Sequence, residues 1–378
     1  MGRTIVSIMS EQVVPNYLFI KEKFLPGDKL MFISSKKFEK RFERIVETLS
    51  WSNVTVKNVV LANEGDEENW SSMNDAICEE LSDNEEYVVN LTGGTKYMAL
   101  AIEKLFSKYN SHFYYIPYPK NVIIGFKSND NITSIQCRIG ISEYMQLHGI
   151  KTKEKNITQS KEYTWDFYTL FISNLLRERE YVIIDKLRSY RNFDIDILKV
   201  EQCVGTEKKP CIPGLAEFVK FINFPSQKEG FLSHHEIQYI TGGWFEEHIY
   251  NIIEDGLEPN DIKIGVEIIR TENTNQNDLD VVFTKGNKLF VVECKTGIKK
   301  PNMGVESSFK EIAYKATALK EILFGLSANS YIFSLAPENE KLTEIARNMG
   351  VVYCDRGHFE DFEKTLALLN SINVKSYD

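Results

Sequence analysis

Residues 277–297 read NDLDVVFTKGNKLFVVECKTG, with two apolar runs, VVF and LFVV, on either side of the turn-like KGNK. This pattern predicts a β-hairpin. Asp280 opens the first strand, and Glu293 and Lys295 close the second. Because side chains alternate along a strand, Glu293 and Lys295 lie on the same face. An acid and a base at the end of such an apolar hairpin indicate either a surface ion pair or a reactive site.

The sequence around the hairpin favours a reactive site. A predicted helix, GGWFEEHIYNIIED, precedes the hairpin by about one strand and carries two acids in its first turn. Two or three carboxylates at one point repel each other, and a divalent cation relieves that repulsion. Oxygen ligands suit magnesium or manganese. A nearby lysine can stabilise negative charge that grows on a phosphate.

Composition narrows the class of protein. The chain has 378 residues, enough for two or three domains, and is 43% hydrophobic and 26% charged. A net charge of −9 argues against a generally basic nucleic-acid-binding surface. No apolar run approaches the ~18 residues that span a membrane, and the N-terminus lacks a signal-peptide pattern. The six cysteines include no CxxC pair, so we expect a reducing, cytoplasmic compartment without structural zinc or disulfides.

The order of predicted elements indicates an α/β protein in three parts. Strands and helices alternate over residues 1–150, which favours a mainly parallel sheet with helices on both faces. Residues 151–238 comprise a polar linker at 151–162 and a helical connecting region, for which a winged-helix-like fold is one interpretation. Residues 239–378 form a second α/β unit that contains the hairpin.

A glycine turn marks the first part, in VVNLTGGTKYMALAIEKLF, residues 88–106. The strand ends near Asn90, and Gly93 and Gly94 lead into a helix. Glycines let the backbone approach a ligand, and a helix N-terminus attracts phosphate. Lys96 adds a positive charge. An ordinary turn with Thr95 as helix N-cap is the alternative interpretation.

The helix, strand and hairpin resemble the PD-(D/E)xK nuclease superfamily, which has the restriction-endonuclease-like fold. The matching positions are Glu246, Asp280, Glu293 and Lys295. The resemblance implies that all four are catalytic and that the three acids are metal ligands. Glu247 is the alternative helix residue, because helical phase alone does not choose between the two. Leu279 replaces the usual proline before the aspartate.

The glycine turn, together with the first strand and its loop, IVSIMSEQVVPN, resembles the CARF domains, Rossmann-like sensors of CRISPR-associated proteins. The resemblance implies a ligand site formed by Asn90, Thr92, Gly93, Gly94, Thr95 and Lys96, with Ser10, Glu11 and Gln12 from the first loop. Ser34 and Ser35, after the second strand, are further candidates. The fold class expected is an N-terminal Rossmann-like CARF domain, a helical middle region and a C-terminal restriction-endonuclease-like domain.

This domain order resembles the nucleases of antiviral type III CRISPR defence. The resemblance implies an allosteric activator, a cyclic oligoadenylate such as cyclic tetra-adenylate, and metal-dependent cleavage of single-stranded DNA, RNA or both. A two-fold symmetric ligand suits a homodimer. We expect activation to pass through the linker and the middle helices. Lysines after the hairpin are candidates for a strand-binding channel, namely Lys299, Lys300, Lys310, Lys315 and Lys320.

Two other functions fit the same residues. One is a ligand-responsive regulator, in which the middle region binds nucleic acid and the C-terminal acids are only structural. The other is a repair nuclease that needs no activator. Dependence on a divalent metal separates the regulator from both nucleases.

Overall fold

The computed structural model describes residues 2–63, 65–126, 132–174, 178–191, 197–199, 212–269, 277–298, 303–323 and 328–377. The described N-terminal residues form a seven-stranded sheet in the order β3-β2-β1-β4-β5-β6-β7, parallel through β5. The strands are β1 Gly2–Ile8, β2 Lys29–Ser35, β3 Val56–Leu61, β4 Glu85–Asn90, β5 Asn110–Tyr115, β6 Val122–Gly125 and β7 Ile132–Ser134. The helices are α1 Val14–Lys23, α2 Glu39–Leu49, α3 Trp70–Cys78, α4 Lys96–Phe106 and α5 Ile141–Leu147.

Both faces of this sheet are covered. Ile5 and Val6 are neighbours in β1, yet they belong to different hydrophobic clusters, and both are buried. Since adjacent strand residues point to opposite faces, helices must pack on each side. The expected parallel sheet with helices on both faces is confirmed.

The middle region begins differently from the predicted linker. Its elements are β8 Lys151–Lys153, α6 Lys161–Asn174, α7 Glu178–Ser189, β9 Ile197–Lys199, α8 Leu215–Phe221, β10 Phe231–Ser233 and α9 His234–Gln238. The polar segment expected to be a linker therefore starts with a strand, which pairs with the C-terminal sheet. An edge strand needs backbone hydrogen bonds but no apolar side chains, and lysines are common there. The pattern of apolar residues in the sequence therefore could not predict strand β8.

The C-terminal sheet has the order β15-β14-β13-β12-β11-β8. Its remaining elements are α10 Trp244–Leu257, β11 Asp261–Ile269, β12 Asn277–Lys285, β13 Lys288–Lys295, α11 Val305–Leu323, β14 Ala328–Ser334, α12 Glu340–Asn348, β15 Val352–Cys354 and α13 Phe362–Tyr377. The predicted hairpin is confirmed as β12 and β13. Lys285 pairs with Lys288, so Gly286 and Asn287 form a two-residue turn, both with positive φ.

The N-terminal and C-terminal parts share a hydrophobic core, with α5 in contact with β11 and β12. One hydrophobic cluster joins Ile139 and Ile141 of the N-terminal part to Leu279 and Val291 of the hairpin. The hairpin turn inserts there: Asn287 is fully buried, and its amide oxygen accepts a hydrogen bond from the Ile139 backbone N–H at 3.0 Å. Residues 148 positions apart in sequence are thus in contact. Besides the linker and middle helices, the structure contains a direct connection between the two parts.

Candidate functional sites

Three predicted residues meet at the end of the hairpin. The antiparallel register pairs Val281 with Val292, which places Asp280 opposite Glu293. Lys295 Nζ lies 2.7 Å from Glu293 Oε1 and 3.1 Å from Asp280 Oδ2. Both carboxylates are buried, with 8% and 5% of their residue surface exposed.

Neighbouring groups fix these carboxylates. Asp280 Oδ2 also accepts a hydrogen bond from the Cys294 backbone N–H at 2.7 Å. Lys315, on α11, lies with its Nζ 3.4 Å from Glu293 Oε1. One predicted channel lysine therefore contacts the acids themselves. Lys310 is exposed, and Lys299 and Lys300 lie outside the described residues.

The structure distinguishes the two helix glutamates. Glu247 is buried and accepts hydrogen bonds from Thr158 and from the Gln159 backbone N–H, at 3.2 Å for Gln159. It therefore fixes the segment that enters α6. Glu246 is instead within electrostatic reach of Asp280, Glu293 and Lys295, because α10 packs against β12 and β13. We refer to Glu246, Asp280, Glu293 and Lys295 as the acidic cluster.

The pKa values of the acidic cluster are shifted by burial and by the charges that its members exert on one another. Burial, and then the charge of Asp280, raise the pKa of Glu246 to about 8. Burial and Asp280 likewise raise the pKa of Glu293. Burial lowers the pKa of Lys295, but attraction to Asp280 and Glu293 outweighs it, so the net pKa is raised. Three acids close together, of which Asp280 and Glu293 are buried, are costly as anions, and a divalent cation would lower that cost.

In the part of the chain described here, no three acidic, histidine or cysteine side chains are gathered closely enough to enclose a metal ion. In this arrangement the Lys295 ammonium lies between two of the carboxylates. The chemistry of the donor set still fits a hard divalent cation, since all three acids offer carboxylate oxygens, the ligands that such a cation prefers.

The second site is a cavity of about 390 Å³ at the carboxyl ends of the N-terminal strands, which we call the sensor cavity. It is lined by Ser10, Glu11, Gln12, Pro15, Asn16, Lys37, Phe38, Glu67, Thr92, Gly93, Gly94, Thr95 and Met98. Seven of the eleven candidate ligand residues are among these, whereas Ser34 is fully buried in β2 and is not. Two loops that are distant in sequence, after β1 and after β4, meet here because their strands are adjacent.

The glycines of the cavity are required sterically. A Cβ added at Gly93 would lie 1.9 Å from the Ile8 backbone oxygen, which nothing can accommodate. Gly94 has φ +74°, and its Cβ would lie 2.6 Å from Ile8 Cγ2. Thr95 accepts a hydrogen bond from the Met98 backbone N–H at 3.1 Å, so it caps α4 as the alternative interpretation held.

The other three predicted ligand residues are outside the described lining of the cavity. Asn90 is fully buried, and its amide donates to Asn16 Oδ1 at 2.9 Å. Ser35 is buried at the end of β2. Lys96 is the first residue of α4 and is exposed beside the cavity.

Sequence reasoning missed Asn16, Lys37, Phe38 and Glu67. Lys37 and Phe38 follow directly after β2, so the rule that ligands bind at the carboxyl ends of strands could have identified them. Asn16 and Glu67 carried no such signal, because Asn16 is a single buried polar residue in the first turn of α1 and Glu67 is one of three consecutive acids.

Two family models match the chain. The first, the Card1 CARF domain, matches residues 4–144, and the second, the Card1-like endonuclease domain, matches residues 233–366. Curated proteins give no significant match. No helix in the described residues is long and apolar enough to cross a membrane.

Solved structures share the fold over the whole chain. Protein VC1899 from Vibrio cholerae has a TM-score of 0.76 at 18% identity, covering 99% of this chain and 98% of that one. Can2 from Sulfobacillus thermosulfidooxidans, in complex with cyclic tetra-adenylate, has a TM-score of 0.69 at 21% identity, covering 98% and 100%. A type III CRISPR defence DNA nuclease activated by cyclic oligoadenylate has a TM-score of 0.52 at 14% identity, covering 93% and 50%.

At these identities, the solved structures establish the fold. The two family models identify a CARF domain at the N-terminal end and an endonuclease domain at the C-terminal end. The sensor cavity and the acidic cluster follow the same order along the chain. This chain therefore belongs to the CRISPR-associated CARF-domain nucleases, with a Card1 CARF domain followed by a Card1-like endonuclease domain.

Proposed function

We propose that this protein is a metal-dependent nuclease that cyclic tetra-adenylate activates to cleave single-stranded DNA, RNA or both in type III CRISPR antiviral defence. The observation that carries the proposal is the buried acidic cluster in the endonuclease domain of a chain that also contains a CARF sensor cavity. We divide the chain into a sensor at 1–150, a connecting region at 151–238 and a nuclease at 239–378.

Each residue of the acidic cluster has a role in the proposed reaction. Glu246, Asp280 and Glu293 would hold a magnesium or manganese ion, which would activate water and stabilise charge on the phosphate when bound. Lys295 provides a fixed ammonium group that stabilises negative charge growing on the reacting phosphate. The Cys294 N–H holds Asp280 in place, and Lys315 balances the charge of Glu293.

The sensor cavity suits a ring of adenylates. Gly93 and Gly94 bring the backbone close to a ligand, and the N-terminus of α4 attracts phosphate. Phe38 offers a ring on which a base can stack. Can2, whose solved complex contains cyclic tetra-adenylate, shares the fold of this chain and supports that ring size.

A homodimer is part of the proposal. Helix α4 begins at the sensor cavity and exposes two large apolar residues, Leu100 at 71% and Tyr97 at 45%. Exposed apolar residues beside a ligand site favour contact with a second copy, and a two-fold symmetric ring would then touch both protomers.

The test is a cleavage assay on labelled single-stranded DNA and RNA. It compares each cyclic oligoadenylate, with and without manganese or magnesium. Cleavage that requires both metal and cyclic tetra-adenylate supports the proposal. Binding of activator without any metal-dependent cleavage would instead favour the ligand-responsive regulator, and cleavage that ignores every activator would favour a repair nuclease.

A further inference from the structure

Two arginines of the connecting region reach the nuclease site. Helix α7 ends at Ser189 beside a single π-helical turn, Tyr239–Gly243, which leads directly into α10 and Glu246. Turns of this kind are frequent at functional sites. The end of α7 is thereby held next to the end of β13, where the acidic cluster lies.

Arg188 holds the end of α7 next to the end of β13 through side-chain hydrogen bonds. Its Nη2 donates a hydrogen bond to Thr296 Oγ1 at 3.2 Å, and Thr296 directly follows Lys295. Its Nη1 forms an ion pair with Asp185 at 2.6 Å, and its Nε donates to the Thr241 carbonyl at 3.5 Å. With all three nitrogens in contact with protein groups, Arg188 is a positioning residue.

Arg191 is different, because no described residue forms a hydrogen bond or ion pair with its side chain. A Cβ added at Gly242 would lie 3.5 Å from Arg191 Nη1 and 3.9 Å from Thr296 Oγ1, so both side chains lie against Gly242. The guanidinium is also close enough to Glu246 for its charge to act on that carboxyl. Arg191 thus presents a guanidinium that has no partner among the described residues, at the edge of a negatively charged site.

A guanidinium beside buried acids that pairs with none of the described carboxylates requires a physical explanation. If Arg191 only balanced the charge of the acids, a direct ion pair with one of them would be expected, as Lys295 and Lys315 make. A guanidinium that faces a nuclease site without a carboxylate partner suits a phosphodiester, which it can bind with two parallel hydrogen bonds.

We propose that Arg191 binds a backbone phosphate of the nucleic-acid strand next to the bond that is cleaved, and that Arg188 holds the end of α7 in position for this contact. The inference rests on the proposed nuclease function and extends it by making the connecting region part of the substrate site. The shared ligand chemistry is the phosphodiester of single-stranded DNA or RNA.

The test measures binding apart from cleavage. In full-length protein that carries Asp280→Asn, the affinity for a labelled single-stranded oligonucleotide is measured with cyclic tetra-adenylate over a range of salt concentrations. DNA and RNA of the same sequence form separate arms. Arg191→Ala and Arg191→Lys are compared with Lys186→Ala, which removes an exposed lysine two residues from Arg188 on the same helix.

We expect Arg191→Ala to weaken binding roughly tenfold, as a lost charged hydrogen bond does, and to reduce the slope of log affinity against log salt by about 0.7. Arg191→Lys should keep the slope and lose part of the affinity, because lysine keeps the charge without the planar fork. Lys186→Ala should match the parent. A merely structural role would not change the salt slope.

Unchanged affinity and slope for Arg191→Ala on both DNA and RNA would overturn the inference. So would an equal loss in Lys186→Ala, because the effect would then be general electrostatics of α7. Failure of the nuclease function gives a different result: the wild type would cleave neither substrate with metal and activator, whatever the binding of the Arg191 variants.

Discussion

The sensor cavity and the acidic cluster are built on opposite principles. The cavity lies where two loops at strand ends meet, and its floor includes Gly93 and Gly94, whose lack of side chains lets the loop after β4 lie against Ile8. The cluster is formed by buried charges that hold one another, as in the pair of contacts from Lys295 to its two acids. Recognition in the first site depends on shape, whereas chemistry in the second depends on charge balance. Substitutions should therefore separate binding from cleavage.

Metal removal should have the largest effect. Treatment of the wild type with EDTA should abolish cleavage, since the acidic cluster would lose the cation that we propose its three carboxylates hold. Activator affinity, measured by calorimetry, should not change, because the sensor cavity is a separate site. Restoring manganese or magnesium should recover turnover. Full cleavage after exhaustive chelation would contradict the proposed mechanism.

Lys295→Ala should reduce activator-stimulated turnover at least ~100-fold, because it removes a fixed positive charge from the reacting phosphate. Activator affinity should equal that of the wild type. Lys341→Ala, which removes an exposed lysine on α12, is the matched control and should cleave normally. A turnover for Lys295→Ala close to that of the control would remove Lys295 from the catalytic machinery.

Substitutions at the neighbouring residues Glu246 and Glu247 should have contrasting effects on cleavage and on stability. Glu246→Gln should lose most cleavage while melting at the wild-type temperature, because this carboxyl faces the acidic cluster. Glu247→Gln should destabilise the fold by ~1–3 kcal/mol, because its carboxylate accepts hydrogen bonds from Thr158 and Gln159. Thermal denaturation and turnover of the purified variants measure both effects. Reversed results would exchange the roles of the two residues.

Lys96→Ala should weaken activator binding about tenfold, since one partly solvated lysine near phosphate contributes ~1–2 kcal/mol. Cleavage at saturating activator should be normal. Lys108→Ala, an exposed lysine just beyond the other end of α4, should bind activator as the wild type does. Calorimetry with cyclic tetra-adenylate decides. Equal affinity of both variants would place the phosphates of the ring away from Lys96.

The smallest expected effect concerns coupling between the two parts. Asn287→Gly keeps the positive φ of the hairpin turn but removes the amide that bonds Ile139 and, at 2.8 Å, Asn121. Stimulation of cleavage by activator should fall several-fold, because each lost hydrogen bond is worth ~1 kcal/mol of coupling. Asn53→Gly, an exposed asparagine with positive φ, is the control. Normal stimulation in Asn287→Gly would mean that the signal passes only through the connecting region.

The sequence determined the local architecture of this protein. Two short apolar runs, VVF and LFVV, predicted the strands of the hairpin, KGNK predicted the turn between them, and two adjacent glycines before α4 predicted the cavity loop. Each of these follows from a short apolar run bounded by turn residues or from the conformational freedom of glycine, so neighbours in the chain suffice. The placement of Glu293 and Lys295 on one face followed from the period of two in strands, whereas the position of Asp280 opposite Glu293 depended on the register of the two strands.

Only the tertiary structure decided which distant groups meet. Helical phase could not choose between Glu246 and Glu247, because the choice depends on which side of α10 packs against the hairpin. The strand at Lys151–Lys153 is defined by a partner more than a hundred residues away. The contacts of Asn287 with Ile139, of Lys315 with Glu293 and of Arg188 with Thr296 are likewise long-range. No local pattern encodes such contacts, because they arise when packed sheets and helices bring separate segments together.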